Sequence, residues 1–313
     1  MSETILRRIE LVVLATVVLV CGWAAFQRNH VWTDEISIWS DAVMKSPQKA
    51  RPHHNLGWAY YSMKHYNAAL SEYQQAIKIN PRSVRIYVDL GRAYEAKGRY
   101  DLAEGIYRKG LELDPADYKA HIFLGELYHK KRYTDLAVTE LKSALRINPG
   151  AVSAYSILGS IYVESGMPDA AIEEYKKALQ IAPDDAKVYY NLGIAYDIKG
   201  LPEEAVLNYR RALHIKPDYP EALSNLGIVY GRAGRLEEAI SLFKKALALE
   251  PQSITTLLDL GFAYEELARS PRRKEEAGEL AARAFEAYRK ALTLDPGNVT
   301  ARQRTAGLTK GGS

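Results

Sequence analysis

Seven glycines recur along this chain with a constant step of 34 residues. Each lies in a stretch similar to "NLGIAYDIKG" at 191–200, and the positions are Gly57, Gly91, Gly125, Gly159, Gly193, Gly227 and Gly261. A catalytic motif occurs once in a chain, whereas a motif repeated at fixed spacing is a structural unit. The 313 residues therefore indicate an array of stacked repeats rather than a domain built around one compact core.

Prolines with the same period end each repeat, at Pro47, Pro81, Pro115, Pro149, Pro183, Pro217 and Pro251. Proline is disfavoured inside a helix, so each one closes the helix that precedes it. Between each glycine and the next proline the sequence places alanines and one large apolar residue, at Tyr73, Tyr107, Leu141, Tyr175, Tyr209, Phe243 and Tyr288. The pattern predicts two helices per repeat and an all-α fold.

The combination Leu-Gly-x-x-Tyr, then alanine with an aromatic residue, then proline, resembles the tetratricopeptide repeat. The resemblance covers seven copies over residues 50–298, and the last copy carries an insertion of 11 residues. It implies an all-α solenoid, a right-handed superhelix of helix-turn-helix repeats. It also implies a concave groove lined by the first helix of each pair.

The two ends of the array depart from the pattern. Residues 27–49 are predicted to form a short linker and a half-repeat helix, capped at Thr33 or Asp34. The insertion predicts one long helix of about 24 residues, with Ser270 as its cap and Pro271 in its first turn. Residues 299–313 are polar and are expected to form a frayed C-terminal tail.

The N-terminus differs from the repeats. Arg7 and Arg8 precede a mostly apolar, uncharged run that approaches the ~20 residues needed to cross a bilayer. We predict a transmembrane anchor over 11–26 and a cytoplasmic tail over 1–10. The array is then extracytoplasmic, or periplasmic in a bacterium, with the cytoplasmic side left open. The alternatives are a cleaved signal peptide, a lipoprotein signal at Cys21, and a buried helix of a soluble protein.

Little in the sequence indicates chemistry. A formal net charge of +4 is too mild to predict a nucleic-acid partner. One cysteine, Cys21, excludes an intrachain disulfide and a metal site built from several cysteines. The chain has neither a glycine-rich phosphate loop nor an H-E-x-x-H motif. We therefore predict a protein that is not an enzyme, with no cofactor, no metal and no small-molecule substrate.

Residues spaced i, i+4 and i+7 share one face of a helix, and by the resemblance this face of each first helix lines the groove. The candidate peptide-binding residues are Arg51, Asn55, Arg85, Asp89, Lys119, Phe123, Lys187, Asn191, Asn225 and Asp259. A side-chain amide both donates and accepts, so it can pair with the backbone of an extended peptide. The Asn and Asp series is similar to the asparagine ladder of O-linked N-acetylglucosamine transferases. The alternative is that these are solvated polar residues copied with the repeat.

Two functions follow from these predictions. The first is a non-enzymatic, membrane-anchored scaffold that binds a partner protein or peptide in its groove. The second follows from residues 28–61, which are similar to the junction between membrane helix and repeats in multi-spanning glycosyltransferases. That likeness implies a non-catalytic component of a protein-glycosylation system, which presents acceptor proteins to a separate catalytic subunit.

Overall fold

The computed structural model describes residues 12–23 and 34–310, and all regular structure in these residues is helical. The chain divides into two compact units, unit 1 at Met1–Asn148 and unit 2 at Pro149–Ser313. Within each unit a 13-residue first helix packs against a 14-residue second helix in almost every repeat. The array predicted from the 34-residue period is therefore present as helix pairs.

Within residues 34–148, unit 1 contains one single helix followed by three helix pairs. The helices are α1 (Glu35–Lys45), α2 (Ala50–Ser62), α3 (Tyr66–Ile79), α4 (Val84–Ala96), α5 (Tyr100–Leu113), α6 (Tyr118–Lys130) and α7 (Thr134–Ile147). Asp34 caps α1, and its carboxylate accepts from the Ser37 backbone N–H at 2.8 Å while the Ser37 hydroxyl accepts from the Asp34 N–H. This helix packs on α2, as the predicted half-repeat requires.

Unit 2 contains four helix pairs and a final helix. They are α8 (Val152–Glu164), α9 (Pro168–Ile181), α10 (Ala186–Ile198), α11 (Pro202–Ile215), α12 (Pro220–Arg232), α13 (Leu236–Leu249), α14 (Ile254–Ala268), α15 (Ala277–Leu294) and α16 (Val299–Lys310). A single 3-10 turn, Pro271–Arg273, lies between α14 and α15.

The repeated glycine of each first helix contacts the large residue of its own second helix. A Cβ added to Gly193 would lie 2.6 Å from Cε1 of Tyr209, which is closer than two non-bonded carbon atoms approach each other. The same overlap occurs in all seven repeats, with Leu141 and Phe243 in place of tyrosine in two of them. These seven partners are all buried. The glycine is therefore required for close approach of the two helices.

The end of unit 2 differs from the sequence prediction in two places. The prediction of a single long helix from Ser270 is wrong. Pro271–Arg273 forms a separate 3-10 turn, and α15 begins only at Ala277 and has 18 residues. In that turn Arg273 forms ion pairs with Glu237 of α13 and with Glu276. These contacts hold the turn in place, which a reading of the local sequence does not anticipate.

Residues 299–310 form α16 instead of the expected frayed tail. Ala301 is fully buried, and α16 packs on α15. It begins three residues after Pro296, as α14 begins three residues after Pro251. Helix α16 thus takes the position of a first helix in the repeat pattern, and it packs on the second helix of the last full repeat.

The predicted anchor at 11–26 extends beyond the described residues, and the tail at 1–10 lies outside them. Residues 12–23 are helical, with exposed apolar side chains such as Leu19 and Trp23. Within 12–23 and 34–310, the structure contains no helix of the length and apolarity that a membrane span needs.

Candidate partner-binding faces

The first helices α2, α4 and α6 of unit 1 contact one another in sequence order. Their predicted groove residues Arg51, Arg85 and Lys119 occupy one register, four residues after a repeat proline. We name these three residues the basic row. All three are exposed, and none forms an ion pair with another described residue.

An arginine surrounded by aromatic rings lies on the same helices. Cζ of Arg92 lies 5.1 Å from the ring centroids of Trp58 and Tyr61 and 5.0 Å from that of Phe123. The rings of Trp58 and Tyr61 are stacked at 5.7 Å. A cation at this distance from a ring is attracted by the ring quadrupole. We name Trp58, Tyr61, Arg92 and Phe123 the aromatic–arginine cluster.

Asp89 does not line an open face, in contrast to its prediction as a groove residue. It is only 8% exposed, and it accepts from Nε2 of His54 at 2.8 Å and from Nη1 of Arg92 at 3.3 Å. Its carboxylate is occupied by these two partners, so it has little capacity left for a peptide. Asp89 instead fixes the position of the Arg92 guanidinium.

A cleft of about 250 Å³ opens beside the cluster. Tyr61, Arg92 and Phe123 line it, together with Glu126 and Lys130. Nζ of Lys130 lies 2.5 Å from Glu95 on α4 and 3.1 Å from Glu126 on its own helix. The two glutamates of the cleft therefore share one lysine.

Unit 2 presents a different face on α10, α12 and α14. Asn191 and Asn225 are half-buried on this face, and Nδ2 of Asn225 donates to the Tyr190 hydroxyl at 3.4 Å. Asp259 follows at the same register, and its carboxylate has no hydrogen-bond partner among the described residues. Burial raises the pKa of Asp259 to about 6. Only this part of the predicted Asn and Asp series is continuous.

The remaining predicted positions are also on the first helices. Asn55 and Phe123 are half-buried and Lys187 is exposed. Phe123 interrupts the amide series, but it has a role of its own, because its ring stacks on Tyr107 at 6.2 Å as well as on Arg92.

Ion pairs between neighbouring first helices are absent from the sequence prediction. Glu95 pairs with Lys130 and Asp197 pairs with Arg232, each at 2.5 Å. Both pairs have the same separation of 35 residues, one repeat plus one residue. That recurring offset of opposite charges is the signal by which the sequence would have revealed them.

Glu265 is a second feature that the sequence analysis missed. It is buried and accepts from the Tyr288 hydroxyl at 3.0 Å, from Arg269 at 2.5 Å and from Arg304 at 3.2 Å. Arg304 also lies 4.7 Å above the ring of Phe262. Because Arg304 belongs to α16, this carboxylate joins three helices.

Two histidines, the residue type that most often binds metal ions, instead contact a glutamate and a backbone carbonyl. Nδ1 of His53 contacts Glu72 at 2.6 Å and its Nε2 contacts the Pro47 carbonyl at 3.0 Å. His121 repeats this arrangement with Glu140 and Pro115. The residues described by the structure include no group of three or more His, Cys, Asp or Glu side chains suited to a metal ion.

Models of the tetratricopeptide repeat match the chain along most of the array. The matched ranges are 54–118, 118–150, 159–200, 198–234 and 220–253. The chain belongs to the tetratricopeptide repeat family. No curated protein matches it.

Solved structures of similar fold include the Cut9–Hcn1 hetero-tetramer of the APC/C and pilF of Pseudomonas aeruginosa. The first match is 15% identical with a TM-score of 0.65, over 87% of this chain and 52% of the other. The second is 19% identical with a TM-score of 0.62, over 72% of this chain and 97% of the other. MamA is 28% identical with a TM-score of 0.46, over 54% of this chain and 92% of the other.

Proposed function

We propose that this tetratricopeptide repeat chain is a non-enzymatic scaffold whose unit 1 face binds a partner protein. The observation that carries the proposal is the aromatic–arginine cluster. Trp, Tyr and Arg are the residue types that supply most of the binding energy at protein interfaces. Here three rings from α2 and α6 enclose an arginine of α4, and Trp58 is 41% exposed.

The cluster is also held in place before any partner arrives. Asp89 bonds Arg92, and His54 of the preceding repeat bonds Asp89. Phe123 is stacked on the buried ring of Tyr107. Side chains already fixed in one geometry lose less conformational entropy on binding, which favours affinity.

The test is in-cell cross-linking and recovery of partners with full-length protein carrying Trp58→Ala. We expect the variant to fold normally, because Trp58 is partly exposed, and to recover its partner at least about tenfold less well, as for a hot-spot residue. Tyr133→Ala is the matched control, since Tyr133 is 50% exposed and lies at the start of a second helix. Equal recovery by both variants would exclude this face as the binding site.

The unit 2 face is proposed to add contacts to the backbone of an extended segment. Support comes from Asn191 and Asn225, two half-buried amides at one register on adjacent helices. The double variant Asn191→Ala, Asn225→Ala is expected to keep its thermal stability and to lose affinity for the partner that wild type recovers. Unchanged affinity would remove this part of the proposal.

Membrane attachment through residues 11–26, with the array outside the cytoplasm, is a further part of the proposal. Its support is the exposed apolar surface of residues 12–23 and the arginine pair Arg7 and Arg8 before it. Deletion of residues 1–26 should release the protein from membranes in a fractionation. Retention of the deleted form in salt-washed membranes would contradict it. Recovery of a multi-spanning glycosyltransferase as the partner would support a role in protein glycosylation.

A further inference from the structure

We propose that the unit 1 face binds an acidic, extended segment of its partner, with carboxylates about three residues apart. The inference rests on the proposed function, and it specifies the chemistry of the partner. It is carried by the charges of α2, α4 and α6, by the spacing of those helices and by the setting of Arg92.

The Arg and Lys side chains of this face outnumber its acids, and three of these cations contact no acid of the described residues. The acids Asp89, Glu95 and Glu126 are all engaged, the first with His54 and Arg92 and the other two with Lys130. In contrast, the basic row of Arg51, Arg85 and Lys119 has no acidic partner within the described residues. A partner that supplies carboxylates would form ion pairs with these three cations without displacing an existing ion pair.

The spacing of the basic row suits an extended chain. The row has one member on each of three successive first helices, and packed helices lie about 8–10 Å apart. An extended segment in the polyproline II conformation rises about 3.1 Å per residue and has three residues per turn. Every third side chain therefore lies on the same side of the segment, about 9 Å from the next, and can meet the next member of the row. A helical segment rises only about 1.5 Å per residue and matches this spacing less directly.

Arg92 offers a site for one further carboxylate at the centre of the face. The rings of Trp58, Tyr61 and Phe123 cover its guanidinium, and its one hydrogen bond to Asp89 is long at 3.3 Å. A guanidinium has five N–H donors, and a fixed one binds a carboxylate well because two parallel bonds form at once. The cleft that Arg92 lines has room for a side-chain carboxyl group.

The row is a property of unit 1 and not of the repeat. In unit 2 the same register holds Ser153, Lys187, Glu221 and Thr255. The face of unit 2 also carries Asp259, a carboxylate without a hydrogen-bond partner. Acidic segments are therefore expected to bind more tightly to the unit 1 face than to the unit 2 face.

The test measures binding of a labelled synthetic peptide of repeated Glu-Ser-Ala to the full chain by fluorescence anisotropy. The matched peptide carries Gln in place of Glu. We expect the Glu peptide to bind at least about tenfold more tightly at low salt, and the difference to vanish near 1 M salt, where the Debye length is about 3 Å.

The triple variant Arg51→Ser, Arg85→Ser, Lys119→Ser should weaken binding of the Glu peptide by about tenfold, the combined effect of three exposed ion pairs. Serine is chosen because it occupies this register naturally at Ser153. The control is Lys78→Ser, Lys109→Ser, Lys142→Ser, which removes the same charge from exposed lysines on the second helices α3, α5 and α7. We expect this control to bind the Glu peptide as wild type does.

Equal binding of the Glu and Gln peptides, or equal losses in the two triple variants, would overturn the inference. If Trp58→Ala still abolished partner recovery, the proposed function would stand and only the acidic chemistry would fall. Tighter binding of a single-stranded oligonucleotide than of the Glu peptide would also overturn it. So would self-association of the chain, measured by sedimentation, that the basic-row variant abolishes, since the occupant would then be a second copy.

Discussion

The contact between Gly193 and Tyr209 makes a sharp prediction about stability. A Cβ at position 193 would lie 2.6 and 2.7 Å from Cε1 and Cδ1 of the Tyr209 ring. Tyr209 is 1% exposed, so its ring has no free space into which it can turn. Gly193→Ala must therefore separate α10 from α11 or force the ring from its preferred rotamer.

The expected cost combines two opposing effects. Overpacking a close-packed core costs about 1–3 kcal/mol, while alanine in a helix interior is favoured over glycine by about 0.5–1 kcal/mol. The net result is a destabilisation of about 1–2 kcal/mol for Gly193→Ala and more for Gly193→Val. In a repeat array the loss is concentrated in one helix pair and its neighbours.

The assay is amide hydrogen exchange, measured separately for each repeat. Thermal unfolding followed by circular dichroism gives the stability of the whole chain. Faster exchange in α10 and α11 is expected, because local opening reports local stability. Gly105→Ala is the matched control, since no heavy atom lies within 4 Å of its added Cβ. The control should stabilise α5 by up to about 1 kcal/mol, from helix propensity alone.

A melting temperature for Gly193→Ala at or above that of wild type would refute this reasoning. A double-mutant cycle gives an independent check. With Tyr209→Ala the ring is gone, so the added methyl group at position 193 should no longer destabilise. If the two changes were simply additive, the contact between glycine and ring would not be the cause.

Four other substitutions test three separate features. Tyr73→Phe should leave stability unchanged or raise it by up to about 1 kcal/mol, because the buried Tyr73 hydroxyl has no hydrogen-bond partner in the described part of the chain. Tyr107→Phe should cost about 1 kcal/mol through loss of its bond to Glu95. Urea unfolding of both variants compares the two effects. Asp259→Asn should stabilise the fold above pH 6 and have no effect below pH 3.8, because a folded-state pKa raised from 3.8 to about 6 penalises the ionised form only. The full shift corresponds to about 3 kcal/mol, reduced by solvent screening of this half-exposed group to about 1–2 kcal/mol; equal urea midpoints for variant and wild type at pH 8 would contradict it. Ala301→Glu should detach α16 and raise hydrogen exchange in α15, because Ala301 is fully buried. Normal exchange in α15 would show that α16 does not stabilise it.

The candidate site was only partly predictable from the sequence. The sequence located the face, because residues four and seven apart lie together on any helix. The basic row and Phe123 were selected as candidates in this way. The burial of Asp89 was not predicted, because its hydrogen-bond partner His54 is 35 residues away. The position of a residue in the repeat does not show which side chain of the neighbouring repeat it contacts. Trp58 and Arg92 were visible on the face, but their contact depends on packing between repeats.

The sequence by itself determined the period of the array and the presence of two helices in each repeat. It did so because these features depend on local signals that recur every 34 residues, namely a glycine, the large side chain 16 residues later in most copies, and a closing proline. Only the tertiary structure decided which charges pair, which carboxylates are buried, and that residues 299–310 form a helix on α15. Those outcomes depend on side chains from different repeats meeting in space, and periodicity does not encode that.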